Sequence, residues 1–196
     1  MPHIPIVVIS GGPQGGKSTF LMRAHAWLTS IGVPSLVISE TAAELSAAGV
    51  SPAELGIEAY HEKLLCHTLE REDRCINEAS QWGAARCAIL SEGGALDAAA
   101  CLERDAFQKI IARHGYTRTK LRHRYDLVLH LASATTSAEA RELDSRMRVA
   151  WLGHRYHFII DNSTDLETKM RRALCTFTRV LNLPEPAASG SDSVVG

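Results

Sequence analysis

The sequence predicts a three-layer α/β domain built on a five-stranded parallel sheet, and three observations carry that prediction. Residues 11–18, Gly-Gly-Pro-Gln-Gly-Gly-Lys-Ser, fit G-x-x-x-x-G-K-[ST] between an apolar run and a helix-patterned stretch. Short apolar runs then alternate with segments of helical spacing along the chain, as parallel strands joined by right-handed crossovers do. The first run also lacks a clean apolar/polar alternation, which suits a central strand covered on both faces.

Strand 1 is read over residues 4–10, with Pro5 near its start. Over 18–31 the apolar positions Phe20, Leu21, Ala24, Trp27, Leu28 and Ile31 recur at helical spacing, and Gly32 supplies a stop. Strand 2 covers 33–39 and runs into Glu40 and Thr41, at the sheet edge where doubly wound folds bind ligands. A short helix at 42–48 closes at Gly49 with a restart at Ser51-Pro52, and a long charged helix follows at 58–82. Strand 3 is short, 86–90, and opens into Ser91-Glu92-Gly93-Gly94-Ala95-Leu96-Asp97. One helix is expected over 97–113, a basic loop over 113–124, and strand 4 over 125–131. Residues 133–149, rich in charge, read as an exposed helix or lid. Strand 5 at 155–160 and an amphipathic helix carrying Leu166, Met170, Leu174, Phe177 and Leu181 complete the domain.

With 196 residues, 45% of them hydrophobic, the chain suits one core and one domain, assigned to 1–183. Residues 184–196, rich in Ala, Ser, Gly and Pro, are expected to be a disordered tail. A formal net charge of −1 excludes a broad basic surface, so neither nucleic acid nor a membrane surface is expected as a partner. No apolar stretch approaches the roughly 20 residues that span a bilayer, and residues 1–10 lack the charged start of a signal peptide. Five cysteines without a C-x-x-C pair read as buried free thiols in a reducing compartment, with the cytoplasm as the expected location. Nothing in the sequence bears on oligomeric state.

The loop carries the chemistry. Its glycines let backbone N–H groups curl around a polyphosphate, and the following helix adds its partial positive N-terminus. Gly12, Pro13, Gln14, Gly15, Gly16, Lys17, Ser18 and Thr19 are therefore the expected cradle for a nucleoside triphosphate. Lys17 would meet the β- and γ-phosphates, and the Ser18 hydroxyl would meet Mg2+. No N-K-x-D base reader is present, so the residues leave ATP and GTP both open.

Several phrases combine to a family pattern. Ser10 through Thr19, Val37-Ile38-Ser39-Glu40, Tyr125 through Leu131, Glu142-Leu143-Asp144 through Trp151 and His154, and Ile160-Asp161-Asn162-Ser163 with Lys169 resemble the NadR-like AAA-domain family. The resemblance covers about residues 4–183 and implies a P-loop NTPase fold related to nucleoside and nucleotide kinases, with ATP or GTP as ligand. By analogy with P-loop kinases the strand order is expected to be 2-3-1-4-5. Some members of the family phosphorylate small molecules and others regulate, so the resemblance implies either a phosphotransferase acting on a nucleoside-like hydroxyl acceptor or a nucleotide-dependent switch acting on a protein or lipid partner.

Residue by residue, the resemblance makes Glu40 the candidate general base, against a solvated or helix-capping carboxylate. Glu92 is the candidate carboxylate for Mg2+, against a plain loop acid. Arg141, with Arg146 and Arg148, stands where such kinases carry a lid arginine, against a solvated helix with Glu–Arg pairs. Asn162 is expected either to touch the base or to form a turn, and Asp97 either to cap a helix or to meet substrate. The basic residues at 113–124 could receive an anionic acceptor or simply face water. The histidines, His61 among them, lack ligand spacing and are read as structural or surface residues. One departure stands out: family members often carry Asp-Arg-Gly-x-x-Asp where this chain has Glu92-Gly93-Gly94-Ala95-Leu96-Asp97, so the acid is kept and the arginine is replaced by Gly93.

Overall fold

Residues 3–186 are described by a computed structural model. The element order is β1 (Ile6–Ser10), α1 (Lys17–Ser30), β2 (Ser35–Ile38), α2 (Thr41–Ala47), α3 (Pro52–Leu55), α4 (Ile57–Ser80), β3 (Ala88–Glu92), a 3-10 turn (Asp97–Ala100), α5 (Arg104–Arg113), α6 (Arg118–Arg122), β4 (Leu127–Leu131), α7 (Ala138–Ala150), β5 (His157–Ile160) and α8 (Leu166–Val180). The strands form one sheet in the order β2-β3-β1-β4-β5. Every pairing is parallel, with Val8 beside both Ser91 and Val128.

β1 is buried at all five positions because it has a core on each side. Val7 and Ile9 pack with Phe20, Leu28, Met170 and Phe177 of α1 and α8. Ile6 and Val8 pack with Leu65, Phe107, Ile110 and Trp151 on the opposite face. Burying each such side chain contributes about 1.5–3 kcal/mol, so the two cores hold the strand ends, and the loops that leave them, in fixed register. β2 and β5 lie at the sheet edges and are only partly covered.

Besides strand ends shifted by one or two residues at β1, β2, β4 and β5, four segments differ from the sequence reading. β3 runs two residues further, to Glu92, because Ser91 pairs with Val8 and Ile38 and turns its hydroxyl onto the Gly93 carbonyl at 2.8 Å. The single helix expected over 97–113 is broken into the 3-10 turn and α5; the Asp97 side chain is held by other elements, and the extended Glu103 starts a new helix. The expected basic loop contains the one-turn α6, started by Thr117, whose hydroxyl accepts from the Lys120 N–H at 3.1 Å, and anchored by buried Leu121. An added turn, α3, begins at the anticipated Ser51-Pro52 restart with a Ser51–Glu54 capping box.

All five cysteines are free thiols, but contrary to expectation only Cys87 is buried; Cys66, Cys75, Cys101 and Cys175 are partly exposed at the margins of the packed elements. Among the described residues no helix is long and apolar enough to cross a membrane. The tail expected to be disordered falls, from residue 187 onward, outside the described residues.

Candidate functional site

The loop between β1 and α1 presents an open donor surface. α1 starts from Gly16 in the left-handed region (φ 91), with no side-chain cap and no acidic residue in its first turn. Its first N–H groups thus remain available to an anion, with the helix dipole behind them. Gln14 also sits at positive φ (58), the alternation of backbone hands that builds an anion-binding concavity. Lys17 reaches back over the loop to the Gly12 carbonyl at 3.2 Å. The Ser18 hydroxyl donates to Glu92 Oε1 at 3.0 Å across the floor of the site.

The rear of the loop is clamped by buried polar groups. Lys169 of α8 is 3% exposed, and its three ammonium donors have three acceptors: Gly15 O at 2.8 Å, Ala132 O at 2.7 Å and Asn162 Oδ1 at 2.7 Å. Asp144 of α7 is 4% exposed, and its Oδ1 accepts from Gly12 N at 2.9 Å, Ser133 N at 3.1 Å and His130 Nε2 at 3.1 Å. Since a carboxylate only accepts, His130 carries its proton on Nε2; burial lowers its pKa, against the pull of Asp144. The Ser133 hydroxyl donates to the Pro13 carbonyl. β4 then limits the loop sterically, because a Cβ on Gly11 or Gly15 would lie 2.2 or 2.5 Å from the Leu131 carbonyl oxygen. Only glycine fits this approach.

In front of the loop lies a cavity of about 650 Å3. Residues 11–19 form one wall, joined by Glu40, Glu92 and Asp97 from the ends of β2 and β3 and the turn beyond. The remaining wall is supplied by α4 and α7, through residues such as His61, Leu64, Leu143 and Met147. Glu40 is exposed at the mouth, and its carboxylate makes no hydrogen bond or ion pair among the described residues. Glu92 is half-buried, and burial raises its pKa, with Ser18 and Lys17 opposing and Glu40 adding to the rise. The hydroxyl of Ser18 and the carboxylate of Glu92 make an oxygen-only donor pair, the sparse set that Mg2+ takes when phosphates and water supply the rest.

Other sequence-predicted residues fall elsewhere. Asp97 lines the cavity but is fully engaged, accepting from Ser10 Oγ at 2.7 Å, Trp151 Nε1 at 2.6 Å and Gly94 N at 3.0 Å, which makes it a clamp on the Gly93-Gly94 turn. Asn162 is outside the cavity wall; both ends of its amide are committed, to Ser133 O at 2.7 Å and to Lys169. Arg141 is exposed and likewise outside that wall, because burial of Asp144 and Ala150 sets the rotation of α7 and turns Leu143 and Met147 toward the cavity. The helix expected as a free lid is thus bolted to the loop through Asp144. In the basic run, Arg113 pairs with Glu62 and Arg124 with Glu72 and Asp73. Gly93 has φ +85, where any side chain is strained, so this turn favours glycine on backbone grounds.

Sequence reasoning gave Asp144 no role beyond its place in a family phrase and a charged helix, and left His61 as a structural or surface histidine. Asp144 shares a helical stripe with Met147, Ala150 and Trp151, and that spacing was the available signal.

The sequence pattern of the AAA domain family matches residues 6–169. No curated protein matches the chain. Among solved structures, a NadR protein in complex with NAD and AMP-PNP superposes with a TM-score of 0.67 at 16% identity, over 95% of this chain and 52% of that one. A NadR protein in complex with NR gives 0.71 at 18% identity over the same shares. The likeness is one of fold, and the chain spans about half the length of those structures, 52% in each case.

Proposed function

The chain belongs to the AAA domain family, whose sequence pattern matches residues 6–169, and on that premise we propose that it binds Mg2+ with ATP or GTP and transfers the γ-phosphoryl group to the hydroxyl of a small nucleoside-like acceptor. The carrying observation is the cavity, which continues past the phosphate loop and has a free carboxylate, Glu40, at its mouth. A nucleotide-only site needs no such extension. The solved neighbours' ligands, AMP-PNP in one and NR in another, support a fold with room for a triphosphate and a second small molecule.

In this reading residues 12–19 hold the phosphates through backbone N–H groups, and Lys17 swings from the Gly12 carbonyl onto the β- and γ-oxygens. Ser18 and Glu92 hold Mg2+, which when bound neutralises phosphate charge. Glu40 accepts the proton of the acceptor hydroxyl as its oxygen bonds to the γ-phosphorus and the bond to the β-phosphate oxygen breaks, releasing the nucleoside diphosphate. Arg141 can take part only if the first turn of α7 moves, since Asp144 fixes the middle of that helix. The expected location is the cytoplasm. Mg2+-ATP incubated with a panel of nucleosides tests the reading: acceptor-dependent ADP release that Glu40→Gln abolishes is expected, and full turnover by that variant removes the proposed base.

A second reading, a nucleotide-dependent switch, is favoured by the Asp144–Gly12 contact at 2.9 Å, which ties a whole helix to the loop that would sense the nucleotide. Tight Mg2+-ATP binding with no acceptor-stimulated ADP release would support it.

A further inference from the structure

The sheet ends in an open strand. β5 pairs with β4 alone, and the carbonyls of Tyr156 and Ile160 accept from Val128 N and Ala132 N on that neighbour. Backbone polar groups alternate in direction along a strand, so the N–H and C=O groups of His157 and Ile159 point away from the sheet. Among the described residues nothing beyond the sheet bonds to them.

The two faces of this edge differ in chemistry. Phe158 and Ile160 face α8 and pack on the core with Phe177, and α8 continues that surface as a groove lined by Arg171, Arg172 and Arg179. Arg172 is paired with Asp161 at 2.8 Å, whereas Arg171 and Arg179 have no ion pair among the described residues, and no carboxylate is among the lining residues. Glu167, one turn before Arg171, is held by Arg23 at 2.7 Å. By the two-residue period, His157 and Ile159 face the opposite way. The His157 ring meets that of His130 on the α7 side, with centroids 6.3 Å apart, and Ile159 is half exposed.

We propose that the free edge of β5 docks an extended acidic segment of another protein, which adds a strand to the sheet, sets its carboxylates on Arg171 and Arg179, and lays the intervening apolar side chains beside Ile159. The added strand supplies the missing partners of the His157 and Ile159 backbone. Its alternation puts acids over the arginine groove and apolar residues on the other face. A second copy of the chain fits this edge poorly, because it would bring its own arginine groove alongside the first and set like charges together. None of these residues lines the nucleotide cavity, so docking here stands apart from phosphotransfer.

The test is fluorescence anisotropy on the full chain with a labelled octapeptide of alternating Glu and Val, its Lys-Val counterpart, and two forms of the Glu-Val peptide, N-methylated at every Glu or at every Val. The Glu-Val peptide is expected to bind at least roughly 10-fold more tightly than the Lys-Val one. In an added strand all residues of one parity direct their N–H groups to β5, so one N-methylated form should lose binding and the other keep it. The double substitution Arg171→Glu, Arg179→Glu should weaken binding by about 10-fold or more, with AMP-PNP affinity and the denaturation midpoint unchanged. No binding by the Glu-Val peptide, equal binding by the Lys-Val peptide, the same affinity for both N-methylated forms, or full affinity in the double variant overturns the proposal. A concentration-dependent dimer in sedimentation that Ile159→Pro abolishes would give the edge to a second copy and overturn it as well.

Discussion

The two sides of the phosphate loop are built on opposite principles. Behind it, Lys169 is buried with all three donors filled, and Asp144 is buried with three hydrogen bonds on Oδ1 and Arg148 at 3.5 Å from Oδ2; each directs its charge mainly onto backbone atoms of the loop or of the β4 exit. In front, Lys17 has one carbonyl contact, Ser18 and Glu92 have each other, and Glu40 has no partner among the described residues. The contrast separates two uses of charge. A buried ion whose partners are complete fixes geometry, whereas a charge left short of partners beside a cavity is available to a ligand.

The contrast breaks most severely if the rear clamp is removed. Lys169→Met should lower stability by about 3–5 kcal/mol, because it strands three acceptors behind the loop; a guanidinium denaturation midpoint unchanged from wild type would show that the clamp is idle. Lys17→Ala should do the reverse, weakening Mg2+-ATP binding on the order of 100-fold, about 2.7 kcal/mol, with the same denaturation midpoint as wild type. Glu40→Gln sharpens the division within the front: nucleotide affinity should hold while acceptor-dependent turnover falls at least ~100-fold, read as kcat against Kd.

The smallest expected effect lies beside the clamp, at the sheet edge. His157 has its pKa pushed down to about 4 by burial, with His130 and His154 adding to the shift. Its neutral form is the folded one, so its contribution is complete above the unfolded value near 6.5 and is lost as pH falls from there toward 4. Glu72 acts in the opposite sense: burial raises it to about 7, so its contribution declines as pH rises from about 4.5 to 7. The measurement is therefore the difference between wild type and His157→Phe in urea, where a pH-dependent gap of about 1–2 kcal/mol is expected between pH 4 and 6.5 after allowance for partial exposure. A gap that does not change with pH would remove the assignment.

This division also explains what the sequence could disclose. The front was legible because its signals are local: a spaced glycine loop, a Lys-Ser pair, and acids at the ends of two apolar runs. The sheet order followed by resemblance, since strand pairing is not written in any one segment. The rear was obscure because Asp144 meets Gly12 and Lys169 meets Gly15 only after the chain has folded back on itself. In a linear reading both enter only as members of family phrases, Asp144 on a charged helix and Lys169 on an amphipathic one, with no partner indicated. Lys169 lies next to Met170 and one turn before Ala173 on the buried face of α8, and an ion within an apolar stripe marks such a clamp. The break between the 3-10 turn and α5 was hidden for the same reason, because Asp97 is claimed by Ser10 and Trp151 from elsewhere in the fold.

The approach of β4 to the loop sets how this chain can vary. Pro13 and Gln14 are exposed, but Gly11 and Gly15 stand against the Leu131 carbonyl with no room for one more carbon. A saturation library across residues 11–16 should accordingly be most permissive at the exposed tip, closed at Gly11 and Gly15, and restricted at Gly16 by its φ of 91 and at Gly12 by Asp144 and Ser133. Adaptive change in the nucleotide cradle is thereby confined to its rim, and new specificity has to arise in the helices across the cavity.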